Sequence, residues 1–180
     1  DITGGYLVEM DFHADATPYQ WKPLVACRQS GIYLVKSPDE DDLTEPQYNY
    51  IKNYIRDFEK AITSSKLSDP DEGYKKYIEP LSFVDYWLIY EVCINHEIWN
   101  PGSVYVHKDR GGKLVAGPIW DFDYGTFNFT YGEAAPAAYS LYVKDAIWYA
   151  HLFRDPEMKA LAKRRWAELK PRLQNEIPQY

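Results

Sequence analysis

The chain has 180 residues, 46% of them hydrophobic, enough to bury a core of its own as one domain over residues 1–180. Its 27 acidic against 20 basic residues give a net charge of −7, which argues against a nucleic-acid backbone or an anionic membrane surface as the main partner. No apolar run is long enough to span a bilayer, and two cysteines, Cys27 and Cys93, are too few for a disulfide framework or a zinc site.

The opening segment, Gly4 to Phe12, alternates Tyr6, Val8 and Met10 with Leu7, Glu9 and Asp11, the pattern of a strand with one buried face. It starts without Met in mid-pattern, as expected of a fragment or a processed product. After the breaks at Pro18 and Pro23, Gly31 to Lys36 reads as a second strand, able to pair antiparallel with the first. Lys36 ends that strand, either placed to reach a phosphate or solvated and facing the acidic run Asp39–Asp42. Thr44-Glu45-Pro46-Gln47 is a capped helix start, and Tyr48, Ile51, Tyr54, Ile55, Phe58 and Ile62 recur at helical spacing to about Ser64. A polar loop follows, then a short helical turn over Tyr74–Ile78. Ser82 to about Glu97 is the most apolar segment. It predicts a buried helix capped by Ser82 with Asp85 as its capping-box partner.

The Asn95–Gly102 loop is polar and aromatic. Ser103–His107 then alternates as a strand, Lys108–Gly112 turns, and Lys113–Trp120 returns, which makes a hairpin. Antiparallel strands bring the start of one beside the end of the other, so Glu97, Asn100, Ser103, Asp121 and Asp123 come within reach at one end of the hairpin. If Trp120-Asp121-Phe122-Asp123-Tyr124 were extended, both carboxylates would share one face and the three rings the other. Paired carboxylates on an apolar footing need a cation, donors or a raised pKa, and a hard metal such as Mg²⁺ or Mn²⁺ meets that need with oxygen ligands. The simpler alternative is that one aspartate caps the turn before Gly125. Thr126 to Tyr139 reads as a loop over the site. Lys144–Phe153 reads as helix, and Asp155-Pro156-Glu157 as the capped start of another running to Leu169. The cluster Lys163-Arg164-Arg165 reads as a solvated face. His13, His96, His107 and His151 show no paired ligand spacing.

The run Pro118-Ile119-Trp120-Asp121-Phe122-Asp123-Tyr124-Gly125, preceded by Ser103–Asp109 and Gly112-Lys113-Leu114, resembles the spore-coat protein H (CotH) kinase family from Gly5 to about Trp166. The resemblance implies an α+β, divergent protein-kinase-like fold: a mostly helical lobe with a catalytic β-hairpin and a short N-terminal antiparallel strand pair, the upstream nucleotide-gripping strands being absent. It implies transfer of phosphate from ATP to a serine of a protein substrate with Mg²⁺ or Mn²⁺, in a bacterial protein of the spore coat, the cell surface or another place outside the cytoplasm. Asp121 matches the family's metal-holding acid and Asp123 its second motif acid. Glu97 falls at the position of the catalytic base, an Asp in better-characterised members, and Ser103 at that of an Asn metal ligand, with Asn100 as a stand-in. Lys36 and Trp120 are the candidate nucleotide contacts. The alternative is a surface module with little or no catalysis that binds glycan or protein through Trp99, Trp120, Tyr124 and Phe127.

Overall fold

The computed structural model describes residues 1–13, 16–27, 31–127 and 140–176. Its centre is β1 (Tyr6–Asp11), which pairs antiparallel on one side with β3 (Ile32–Ser37) and on the other with β4 (Val104–Lys108). The short β2 (Gln20–Trp21) extends one edge and β5 (Leu114–Ala116) the other, giving a five-stranded sheet in the order β2-β3-β1-β4-β5. The expected strand pair and hairpin are therefore parts of one sheet, joined through β1. Nothing local in the sequence marks the β4 side of β1, because the paired residues are about a hundred apart in the chain.

Period-two burial is kept: Tyr6, Val8 and Met10 join the core, along with Val104 and Val106 of β4. The core is completed by α1 (Glu45–Thr63), α2 (Pro80–Cys93), α3 (Tyr149–Leu152) and α4 (Pro156–Glu176). In α1 the apolar stripe Tyr48, Ile51, Ile55, Phe58 and Ile62 is buried, and Gln47 Oε1 accepts from the Thr44 N–H at 2.9 Å and the Thr44 hydroxyl at 2.6 Å. Trp148 lies against Phe58 and Phe83 in edge or tilted contacts, so one indole links α1, α2 and the chain leading into α3.

Four expected boundaries move. First, α2 starts at Pro80, whose fixed φ suits the first helical turn, so Ser82 is no cap. Its hydroxyl donates to the Glu79 carbonyl at 2.8 Å and accepts from the Ala116 N–H at 3.2 Å, tying α2 to β5. Asp85, the expected box partner, instead receives a two-point grip from Arg165 of α4, at 2.7 and 3.1 Å. Second, α2 ends at Cys93 because Ile94 takes the left-handed conformation (φ 48, ψ 43), and Glu97 begins a separate one-turn 3-10 helix, Glu97–Trp99. Third, the helix expected over 144–153 is confined to α3, the positive φ of Ile147 interrupting the chain before it. Fourth, α4 runs past Leu169 to Glu176 with Pro171 inside it. Also, α2 is not buried all round: Leu81, Ile89 and Val92 are exposed.

Candidate functional site

Strand β5 stops at Ala116, where the Gly117 N–H makes the last ladder bond, to the Tyr105 carbonyl at 2.9 Å. Gly117 then turns at φ +120, a conformation open to glycine, and Pro118 has no N–H to continue the ladder. Asp121 follows with φ 58, also left-handed, so the acids do not lie in extended chain and the expected one-face alternation fails. The rings divide differently from expectation. Phe122 is half-buried, edge-on to Tyr90 of α2 at 4.7 Å, whereas Trp120 and Tyr124 are 62% and 51% exposed. Phe122 thus anchors the segment and leaves Asp121 and Asp123 exposed on either side of it.

The opposite wall is the Asn95–Asn100 turn. Asn95 is fully buried. Its Oδ1 accepts the Glu97 N–H at 2.9 Å, and its Nδ2 donates to Thr126 Oγ1 at 3.2 Å and to Glu97 Oε2 at 3.4 Å. The Phe127 N–H reaches the Cys93 carbonyl at 3.0 Å, so the chain after Asp123 is stitched to the end of α2. Gly125 makes the approach possible: a Cβ there would sit 2.6 Å from Asn95 Oδ1 and 2.6 Å from Glu97 Cγ. Burial pushes the Glu97 carboxyl above the ordinary range. The negative charges of Asp121 and Asp123 push the same way, against the hydrogen bonds from Asn95 and Gly125.

The structure therefore brings Glu97, Asp121, Asp123 and Ser103 together. The Ser103 hydroxyl donates to Asp121 Oδ2 at 3.4 Å. Asn100 closes the turn through its backbone, with its N–H on the Glu97 carbonyl at 3.0 Å. Lys36 stands on β3, separated from β4 by β1. Its Nζ is 3.4 Å from Glu9 Oε2, so it neutralises a buried carboxylate rather than facing the run after Ser37. Glu9 Oε1 also accepts from the Tyr105 hydroxyl at 2.7 Å, and burial together with that carboxylate pushes the Tyr105 hydroxyl up. Lys36, Glu9 and Tyr105 thus form one polar chain across β3, β1 and β4. Of the expected loop over the site, Asn128 to Tyr139 lie outside the described residues.

This geometry can be set beside known proteins. The chain matches the CotH kinase protein family over residues 3–177. It belongs to the CotH kinase family. No curated protein and no solved structure matches it. In this CotH-family chain the matched region holds both walls of the site, so the expected family resemblance is borne out across nearly the whole chain. The resemblance to kinases brings with it, in general terms, ATP, a divalent metal and a protein substrate. Among the described residues no three of His, Cys, Asp and Glu converge as a metal cage, and no helix is long and apolar enough to cross a membrane.

Asn95 was not singled out from the sequence, although its signal was present. An asparagine two residues before a turn residue accepts that residue's N–H through its side chain, and Asn95-His96-Glu97 has that spacing. Glu9 and Tyr105 gave no such signal, because only the β1–β4 register places them opposite each other.

Proposed function

We propose that this chain is a divergent kinase-like phosphotransferase that moves phosphate from ATP to a serine of a protein partner, with Mg²⁺ or Mn²⁺ at Asp121. One observation carries the reading: Asp121 and Asp123 face Glu97 with no basic side chain within ion-pair distance of either aspartate among the described residues. Acids brought together with no basic partner among the described residues form a site that a cation would neutralise. The donor set is all oxygen, and Mg²⁺ is commonly held by one or two carboxylates plus substrate phosphates rather than by a complete protein cage. Asp121 and Asp123 would hold it, with the Ser103 hydroxyl and the Asn100 amide as further oxygen donors. The ion supplies charge neutralisation to the phosphates.

Glu97 orients the acceptor hydroxyl and takes its proton as the serine oxygen bonds to the γ-phosphorus and the bond to the leaving ADP oxygen breaks. A carboxyl raised above its ordinary range is the better base near neutrality. Lys36, held on the buried Glu9, is the candidate lysine for a nucleotide phosphate, and the exposed Trp120 offers a face for the adenine.

A second reading has its own observation. Trp120, Tyr124 and Phe127 are 62%, 51% and 61% exposed, whereas Trp99, the fourth ring of the expected platform, is half-buried against the core; the three exposed rings offer a surface on which a secreted or surface protein could stack glycan or a partner chain without turnover. Calorimetric titration with ATP, with and without Mg²⁺, separates the two. Metal-dependent binding that Asp121→Asn abolishes is the expected result, and binding unchanged in that variant would sink the metal assignment. Phe127→Ala should leave nucleotide binding intact and weaken only glycan or partner binding.

A further inference from the structure

A groove of about 560 Å³ runs between α2, the chain around Leu141 and α4. This is the range of pockets that hold a ligand of several large groups. Its floor is Trp87, Leu88 and Phe153; Val92, Leu141 and Trp166 rise from it 37%, 55% and 38% exposed. The wall near Leu141 is fixed, because Glu91 Oε2 accepts the Tyr142 N–H at 2.7 Å and Glu91 Oε1 the Val143 N–H at 2.9 Å. On α4, Lys159, Ala162, Lys163 and Trp166 follow i, i+3, i+4, i+7 and so form one stripe along the groove.

The rim is basic. Lys144, Lys159 and Lys163 border the groove, all exposed. Against them stand Glu91, whose oxygens are engaged by backbone, and Asp145, 3.9 Å from Lys144. In a chain with a net charge of −7, three lysines around an apolar trough are a local reversal of sign, complementary to an acidic ligand. The groove also adjoins the candidate site in the chain: Val92 precedes Glu97 by little more than one helical turn.

We infer that this groove docks an acidic amphipathic segment of a partner protein, its apolar side chains between α2 and α4 and its carboxylates on Lys144, Lys159 and Lys163. That the docked partner is also the phosphoacceptor rests on the phosphotransfer reading; the docking does not. The probe is a fluorescein-labelled helical peptide with Leu at i, i+3, i+4 and i+7 and Glu at the flanking positions, compared by anisotropy with a counterpart carrying Lys for every Glu. The Glu peptide should bind at least about tenfold more tightly, the gap should narrow as salt rises, and the surface double variant Lys159→Glu/Lys163→Glu should invert the order. Asp121→Asn should leave peptide binding unchanged, so the docking stands or falls apart from the metal assignment. Equal affinity for the two peptides, or an order unchanged in the double variant, would overturn the proposal. So would binding of dodecanoate with neither peptide bound, or a dimer in sedimentation that the double variant dissolves.

Discussion

Asn95 governs the position of the Glu97 carboxylate more directly than any other side chain. It holds the Glu97 N–H through Oδ1 and faces Glu97 Oε2 through Nδ2, so its amide fixes both the turn and the head group. Asn95→Asp keeps the backbone contact but replaces the donor with a negative charge beside a carboxylate that already feels Asp121 and Asp123. The added charge disfavours ionisation of Glu97, so its titration, followed by carbon NMR of the labelled carboxyl, should move to higher pH by about a unit or more. Asn95→Ala instead leaves the Glu97 N–H without its acceptor and should cost about 1–3 kcal/mol in urea denaturation. An unmoved Glu97 titration in Asn95→Asp would remove Asn95 from the site. At this scale the sequence was half legible. The acids and Ser103 declared themselves through the hairpin's topology, but Asp121's left-handed backbone did not, because nothing in Trp-Asp-Phe-Asp-Tyr requires a positive φ.

Helix starts were legible where a cap and a proline agreed. Asp155 caps α4 as its sequence predicts, Oδ1 accepting the Glu157 N–H at 3.1 Å, and it does more: it is buried, and its Oδ2 accepts from the Tyr74 hydroxyl at 2.8 Å. One carboxylate thus ties α4 to the 3-10 turn Tyr74–Lys76. Asp155→Ala loses the cap, about 1 kcal/mol, and strands a buried hydroxyl, about 1–3 kcal/mol more. The same change in a Tyr74→Phe background should cost only the cap, a coupling that a double-mutant cycle in urea measures. Equal costs in both backgrounds would show that the Tyr74–Asp155 bond contributes nothing. The capping box at Ser82 failed for a related reason: Ser82 and Asp85 have the right spacing, yet Pro80 sets the helix start earlier and β5 and Arg165 claim the two side chains. Local spacing predicts a cap only when no tertiary partner competes for it. The reach of α2 was overestimated because apolar composition does not show the left-handed turn at Ile94.

Across the whole molecule, one buried polar network joins the sheet, α1 and the chain leading into α3. Trp148 Nε1 donates to the Tyr33 hydroxyl at 3.0 Å, Tyr33 donates to Glu59 Oε1 at 2.9 Å, and the Leu24 N–H donates to Glu59 Oε2 at 2.9 Å. Glu59 has no exposed surface. Burial pushes its carboxyl up to about 7, although the N–H groups of Leu24 and Val25, the Tyr33 hydroxyl and the charge of Arg56 pull it down. The consequence for stability has a definite sign. A raised carboxyl keeps its proton in the folded chain when the unfolded chain has already lost it. Between an ordinary value near 4.5 and about 7 the unfolded state therefore binds fewer protons, and native stability falls as pH rises. The contribution is fully present below pH 4.5 and lost above 7, a span worth roughly 3 kcal/mol at 1.36 kcal/mol per unit. Glu59→Gln keeps an acceptor for Leu24 and has no proton to lose. The stability difference between the native chain and Glu59→Gln, from urea denaturation at a series of pH values, should fall by about that amount from pH 4.5 to 7.5. Other titrating carboxyls, Glu91 and Glu97 among them, occur in both proteins and cancel in the difference. A difference that stays constant across that range would mean that Glu59 is ionised in the core throughout, its charge met by the donors around it.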